Sequence, residues 1–267
     1  MQATATVEIS KQADVMCAFG VVQFKDFKMS VYSFFVDGVL IDTGSVSMLK
    51  ELIPFFRNLQ IERVVMTHNH EDHIGCSKWI QDQLAVPLYI HENAVNRCQE
   101  PFIYKKYRQI MWGQAEPFTA MPIEKTFSSR NETWEVIYTP GHSDDHICLY
   151  NVNRKVLFTG DLFVQVRTKV ILEGEQILKT MASLEKVLSY EFEEVFCNHA
   201  GYLSNGRLQL QQKLDYLRAL YFQIQQLRSE GKEIEEIAAE LFPKNYPIVT
   251  VSEGEWGAHH LVASMLT

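Results

Sequence analysis

The 267-residue chain is 46% hydrophobic and 22% charged, the composition of an ordinary globular protein able to bury one large core. Its net charge of −8 argues against a nonspecific nucleic-acid coat, and no apolar stretch approaches the roughly 20 residues of a membrane helix. Met1-Gln2-Ala3-Thr4 carries neither part of a secretory signal, and five cysteines without a C-x-x-C pair read as free thiols, so a cytoplasmic setting is expected.

The first forty residues are strand-like. An apolar run covers 15–22, and strands over 30–35 and 39–41 flank Asp37-Gly38, a pair whose tolerance of positive φ marks a hairpin turn. The second of these strands ends at Asp42-Thr43-Gly44. Met48, Leu49, Leu52, Ile53, Phe55 and Phe56 then recur at helical spacing, with Pro54 expected to interrupt or kink the helix. A strand over 62–66 runs into Thr67-His68-Asn69-His70-Glu71-Asp72-His73-Ile74-Gly75, where four potential metal ligands fall within six residues. On extended backbone His68 and His70 share a face, while Asp72 and His73 stand where helical character begins and can turn toward a second position. One tetrahedral ion does not easily take four such neighbours, which points to two ions side by side. Imidazole and carboxylate ligands suit Zn²⁺, and also Fe²⁺ or Mn²⁺.

A helix through Trp79, Ile80 and Leu84 and a short strand over 87–90 follow. Residues 93–128 fit neither period well and hold Tyr104, Lys105, Lys106, Tyr107, Arg108 and Trp112. They read as a partly helical insertion: either a lid whose Tyr104, Lys105, Tyr107 and Arg108 meet the substrate, or a packed helix pair with a solvated cationic face. Strand character resumes over 134–138 and leads into Thr139-Pro140-Gly141-His142-Ser143. Strands over 147–150 and 156–158 come next, the latter ending in Thr159-Gly160-Asp161. A helix through Ile177, Met181, Leu184 and Leu188 precedes a strand over 194–197 that ends in Asn198-His199-Ala200-Gly201. Apolar strands thus end repeatedly at ligand-type residues, the place where α/β proteins gather their chemistry. Beyond Gly206 the pattern turns helical, with a stripe of Leu210, Leu214, Leu217, Leu220, Ile224 and Leu227 and a second helix from Ile234. Ser252 with Glu255 reads as a capping box opening a final helix through Leu261 and Leu266. The expected division is a catalytic unit over 1–205, with 93–128 as its insertion, and a helical unit over 206–267.

His68-x-His70-x-Asp72-His73, Pro140-Gly141-His142, Gly160-Asp161 and a late His199, in this order, resemble the metallo-β-lactamase superfamily, over residues 15–200. The resemblance implies an α/β fold, a four-layer αββα sandwich with metals at one edge of its two sheets, followed here by a C-terminal helical subdomain. It implies two divalent ions, Zn²⁺ before Fe²⁺ or Mn²⁺, with His68, His70 and His142 on one, Asp72, His73 and His199 on the other, and Asp161 bridging. Asp42 matches the family's first motif, whose carboxylate steadies ligating imidazoles from behind. The implied reaction is hydrolysis by a metal-bridging hydroxide, since one zinc alone brings the pKa of bound water to about 7. Asp72 is the catalytic candidate, orienting the nucleophile or passing its proton on.

The modest positive excess at such a centre suits a small anionic or polarised substrate: an ester, thioester or lactone. Nucleic acid is a less favoured partner, no membrane partner is expected, and the sequence does not give the oligomeric state. One alternative is a phosphodiesterase or ribonuclease, which would need a continuous basic groove from Lys105, Lys106 and Arg108 with Arg207 or Arg218. Another is a mononuclear non-haem iron oxygenase, as in persulfide dioxygenases. His146, four residues after His142, is weighed as a pocket residue against a simple strand-end residue. Members close to glyoxalase II carry Gly-His-Gly where this chain has Asn198-His199-Ala200, which argues away from a glutathione thioester.

Overall fold

The structure, a computed structural model, describes residues 3–266. Met1, Gln2 and Thr267, at the outer bounds of the two expected units, lie outside the described residues.

Long β-branched and alternating runs at the start of the chain form β1 (Thr4–Gln12), β2 (Val15–Phe24) and β3 (Phe27–Val36), paired antiparallel. Asp37 (φ 49°) and Gly38 (φ 84°) then turn the chain into β4 (Val39–Ile41), with Val36 opposite Val39. Both turn residues have positive φ, as a two-residue hairpin demands. α1 (Leu49–Asn58) continues through Pro54 rather than stopping there. Burial of Leu52, Phe55 and Phe56 on the sheet outweighs the one backbone hydrogen bond that proline cannot donate.

Parallel strands β5 (Arg63–Val65), β6 (Leu88–Ile90) and β7 (Met121–Pro122) complete the first sheet, in the order β1-β2-β3-β4-β5-β6-β7. Between them lie α2 (Glu71–Ile74), α3 (Ser77–Leu84), α4 (Glu92–Val95) and α5 (Lys106–Trp112). The second sheet uses β8 (Thr126–Ser128), β9 (Thr133–Tyr138), β10 (Ile147–Asn151), β11 (Val156–Phe158), β13 (Glu194–Cys197) and β14 (Gly201–Leu203). Its order is β14-β13-β11-β10-β9-β8. α6 (Ile177–Leu188) is the crossover between the parallel pair β11 and β13. Within that crossover β12 (Ile171–Leu172) leaves the sheet to pair with β15 (Trp256–Gly257).

Three apolar layers hold the molecule together. Phe34, Trp134, Phe158 and Phe196 fill the space between the sheets, with Phe158 and Phe196 stacked at 4.9 Å. Ala18, Val31, Leu40, Phe56, Ile80 and Trp112 lie on the outer side of the first sheet. On the outer side of the second, Leu157, Leu184 and Val195 meet α7 (Gly206–Ser229), α8 (Ile234–Leu241) and α10 (Ala258–Leu266). The predicted stripe Leu210, Leu214, Leu217, Leu220 and Ile224 is the face of α7 buried there. This is the αββα sandwich.

The capping box is displaced. Ser252 ends a short helix, α9 (Pro247–Val251), whose start is favoured by proline at its first position. Glu253 (φ 53°) and Gly254 (φ 82°) then reverse the chain, and the Ser252 hydroxyl accepts from the Trp256 N–H at 3.0 Å. A capping box does open α8, between Glu233 and Glu236. A glutamate in the cap position lies outside the Ser/Thr template used to read the sequence. All five cysteines are free and buried, and no described helix is long and apolar enough to cross a membrane.

Candidate active site

Each strand that ends at the shared edge of the two sheets delivers a polar side chain to one place. The loop after β5 brings His68 and His70, and α2 brings Asp72 and His73. The loop before β10 brings His142, the turn after β11 brings Asp161, and the turn after β13 brings His199. Potential ligand atoms of His68, His70 and His142 lie within 4.8 Å of one another, and so do those of Asp72, His73 and His199. Asp161 stands between the groups, its Oδ2 3.1 Å from His199 Nε2 and 3.4 Å from His142 Nε2, and its Oδ1 3.4 Å from His73 Nε2.

His68 Nε2, His73 Nε2 and Asp161 Oδ1 are buried and have no hydrogen-bond partner. Leaving such atoms unmatched costs about 1–3 kcal/mol each, and potential ligand atoms of these three residues lie within 4.8 Å of one another. Nitrogen and carboxylate oxygen are the donors that divalent Zn, Fe or Mn accept, so the residues present fit metal ions. The electrostatics agree. Burial pulls the Asp161 carboxyl up, but the His199 and His73 imidazoles beside it hold it well below the usual carboxylate range. Burial opposes charge on His199 too, yet Asp161 and Asp72 outweigh it and raise that imidazole to about 9. His68 and His70, surrounded mainly by other imidazoles, are driven well below the ordinary value by burial first and by those neighbours next.

Behind this edge sits Asp42, fully buried with φ 56°. Its Oδ1 accepts from the Thr67 N–H at 2.7 Å; its Oδ2 takes the Thr67 hydroxyl (2.8 Å), His73 Nδ1 (2.8 Å) and Asn198 Nδ2 (2.8 Å). One carboxylate thus orients His73 and joins three chain segments. The Asn198 amide also donates to the Tyr32 carbonyl at 2.7 Å, so the residue that departs from Gly-His-Gly contributes two bonds that glycine lacks. His199 Nδ1 donates to the Ser30 carbonyl (2.7 Å), and His142 Nδ1 faces Glu175 Oε2 (3.1 Å). Gly141 (φ 143°) is required by contact: a Cβ there would stand 2.5 Å from the Thr180 backbone nitrogen. Lys213 of α7 reaches under the site, its buried ammonium donating to the Leu162 and Phe163 carbonyls (2.9 and 2.6 Å) that follow Asp161.

A cavity of about 320 Å³ opens over the ligand set. Its floor is His70, Asp72, His142, Asp161 and His199, and its walls include Tyr107, Arg108, Trp112, Val170, Leu172 and Trp256. Of the candidate pocket residues, Tyr107 and Arg108 line this cavity, and Tyr104, Lys105 and His146 are not among its lining residues. Tyr104 stands behind the lining, its ring stacked on Phe102 (5.7 Å) and under the Arg108 guanidinium (5.8 Å), and Lys105 is exposed at the start of α5. His146 does not line the pocket. It lies buried between the ligand loops, with Nε2 accepting from the Asp161 N–H (3.0 Å) and Nδ1 bonded to the Thr139 hydroxyl (2.8 Å). Burial, reinforced by His142, lowers it to about 3, and the neutral ring this implies is the one that can accept at Nε2.

Three participants went unread in the sequence. Glu71, inside the first motif, is buried and takes the Arg108 guanidinium on both oxygens (2.5 and 2.6 Å). Asp145 accepts from the Asn69 N–H at 2.9 Å and so shapes the turn between His68 and His70. Glu175 comes from a stretch with no motif, and only tertiary structure brings it to His142.

Residues 28–199 match the family model described as "Metallo-beta-lactamase superfamily", and the chain belongs to that superfamily. Hydroxyacylglutathione hydrolase of Francisella tularensis subsp. tularensis (strain WY96-3418) is 29% identical over 187 residues, 68% of this chain and 67% of that one. Atrochrysone carboxyl ACP thioesterase of Passalora fulva is 25% identical over 185 residues, 66% of this chain and 49% of that one. The chain spans about half the length of several curated relatives it matches. A solved β-lactamase domain protein from Burkholderia ambifaria shares the fold with a TM-score of 0.71 at 16% identity, covering 97% of this chain and 88% of that one.

Proposed function

We propose that this protein is a dinuclear metal-dependent hydrolase of small esters, thioesters or lactones. The observation that carries the reading is the pair of three-residue groups joined by Asp161, with unmatched donor atoms turned inward. His68, His70 and His142 would hold one ion, Asp72, His73 and His199 the other, with Asp161 common to both. When bound, two divalent cations supply a water acidified toward neutral pH and a Lewis acid for the carbonyl oxygen. The remaining work falls to the chain. Asp72 lines the cavity floor 3.5 Å from His199 Nε2, placed to hold the proton released by water and return it to the leaving group. Glu175 and Asp42 fix the His142 and His73 rings, and Trp112, Val170 and Trp256 exclude bulk water. Residues 1–205 would then carry the chemistry, and 206–267 the helices that back and wall it.

Two relatives named as a hydrolase and a thioesterase support acyl rather than phosphoryl transfer. So does the fate of the three arginines named for a phosphodiester groove. Arg108 is taken up by Glu71 and Glu255, Arg207 serves the Tyr190 and Leu188 carbonyls, and Arg218 pairs with Glu185. The test is elemental analysis of protein purified without added metal, with His70→Ala alongside, followed by ester, thioester and phosphodiester assays. About two ions per chain, fewer in the variant, with acyl substrates cleaved first, is the expected result. A single iron with oxygen consumption, or no metal uptake on reconstitution, would overturn the proposal.

A further inference from the structure

The catalytic cavity does not stand alone. A second hollow, of about 660 Å³, is lined by Asp26, Phe27, Lys28, Met29, Val170, Tyr246, Pro247, Ile248, Val251 and Trp256. Lys28, Met29, Val170 and Trp256 line both spaces, so the two adjoin at these four residues. Apart from Asp26 and Lys28, at the turn between β2 and β3, the groove is apolar or aromatic. Its outer side is α9, whose sequence Pro-Ile-Val-Thr-Val has no fully buried residue. Ile248 and Val249 are half-buried and Val251 is 36% exposed, so part of the apolar surface of this helix is available to a ligand.

The opposite side of the ligand set differs. There a hollow of about 280 Å³ shares His70, His142 and Leu172 with the catalytic cavity and is bordered by Arg97, Ser143, Asp144, Glu173 and Lys179. Two hollows therefore adjoin the cavity over the ligand set, one apolar and one polar. Inside the cavity the guanidinium of Arg108 is already matched by Glu71 and Glu255, and Lys28 stands at the junction with the apolar groove.

Resting on the hydrolase reading above, we infer that the substrate is an ester or thioester of a long apolar acyl chain, seated in the groove between the β2–β3 turn and α9. The reacting carbonyl then lies over the ligand set, and the alcohol or thiol portion occupies the polar hollow. In the reaction the oxygen of water bonds to the acyl carbon, the C–O or C–S bond breaks, and a proton passes to the departing oxygen or sulfur. Chain length is read by the groove, each methylene gaining by leaving water.

The test has a binding arm and a kinetic arm, both on metal-loaded protein. In the first, cis-parinaric acid fluorescence is titrated and competed with dodecanoate or butyrate. In the second, kcat/KM is compared for p-nitrophenyl acetate, butyrate, octanoate and dodecanoate. Val251 is 36% exposed on α9, so Val251→Asp, which adds a charge, and Val251→Trp, which fills space, should both fold. Saturable binding displaced by dodecanoate and not by butyrate is expected, weakened at least about tenfold in both variants. The kcat/KM should climb about tenfold for every two carbons until the groove is full, and the octanoate-to-acetate ratio should collapse in the variants. Unsaturable probe binding, binding indifferent to both substitutions, or equal turnover of acetate and octanoate would overturn the inference while leaving the hydrolase reading intact. Probe binding that responds to Val251 with no ester cleaved would support the groove and sink the hydrolase reading instead.

Discussion

The edge that carries the ligands and the wall that covers them are built in opposite ways. At the edge, a side chain is fixed by partners from several distant segments: Asp42 alone receives Thr67, His73 and Asn198. The wall is made of short pieces, α5, α9 and the two-residue strands β12 and β15, with few ties between them. Trp256 Nε1 donates to the Tyr107 hydroxyl at 3.1 Å, and Arg108 approaches Glu255 at 3.5 Å. The edge is thus held by the sandwich itself, while the wall is tied to it mainly through Arg108 of α5 and Glu71 of α2.

The sharpest way to break that contrast is Asp42→Ala. It leaves the Thr67 N–H and the Asn198 amide without their buried acceptor and frees the His73 ring. A stability loss of about 4 kcal/mol by urea denaturation is expected, with metal affinity down by at least about tenfold. A loss near zero would mean that the edge is not held as described. Next comes Arg108→Met, where the wall meets the edge. It strands the buried Glu71 carboxylate and should cost about 3 kcal/mol, most of it recovered in the Arg108→Met, Glu71→Gln double variant. Additive losses in that cycle would show that the pair does not tie α5 to α2.

The smallest effect probes the edge from below. Burial lowers the Lys213 ammonium to about 8 from its ordinary 10.5. Between those values the unfolded chain holds the proton that the folded chain has released, so stability rises with pH in that window and is lost as pH falls through 8. The wild type should gain about 1 kcal/mol between pH 8 and 9 relative to Lys213→Met, read from paired urea melts. Parallel pH profiles would contradict this. The neutral amine still has the two hydrogens needed for the Leu162 and Phe163 carbonyls.

The contrast also explains what could be read from the sequence. The edge was legible because its chemistry is dense and local: His68, His70, Asp72 and His73 share one short stretch, and His142, Asp161 and His199 each follow a recognisable strand. Asp42 was legible only through the family resemblance, since no cluster of ligand-type residues surrounds it in the chain. The wall was not. Two-residue strands such as β12 are too short to show any period, and the helix start read at Ser252 gave way to α9, a reversal and β15. The two readings of His146 stayed open because spacing from His142 does not say which side of a loop faces solvent. Glu175 had no sequence signal because its role depends wholly on the turn that carries it to His142. Residue type alone likewise made Lys105 and Arg108 equivalent, whereas one is exposed and the other is held by two carboxylates.

Order along the chain gives the wall a further meaning. Every candidate ligand precedes residue 200, while Tyr246, Val251 and Trp256 come long after. Ribosomes release the chain from its N-terminus, and domains begin to fold as they emerge. The segments that carry the candidate ligands therefore leave the ribosome before the C-terminal segments that line the groove, and the α7 helix that covers the second sheet emerges between them.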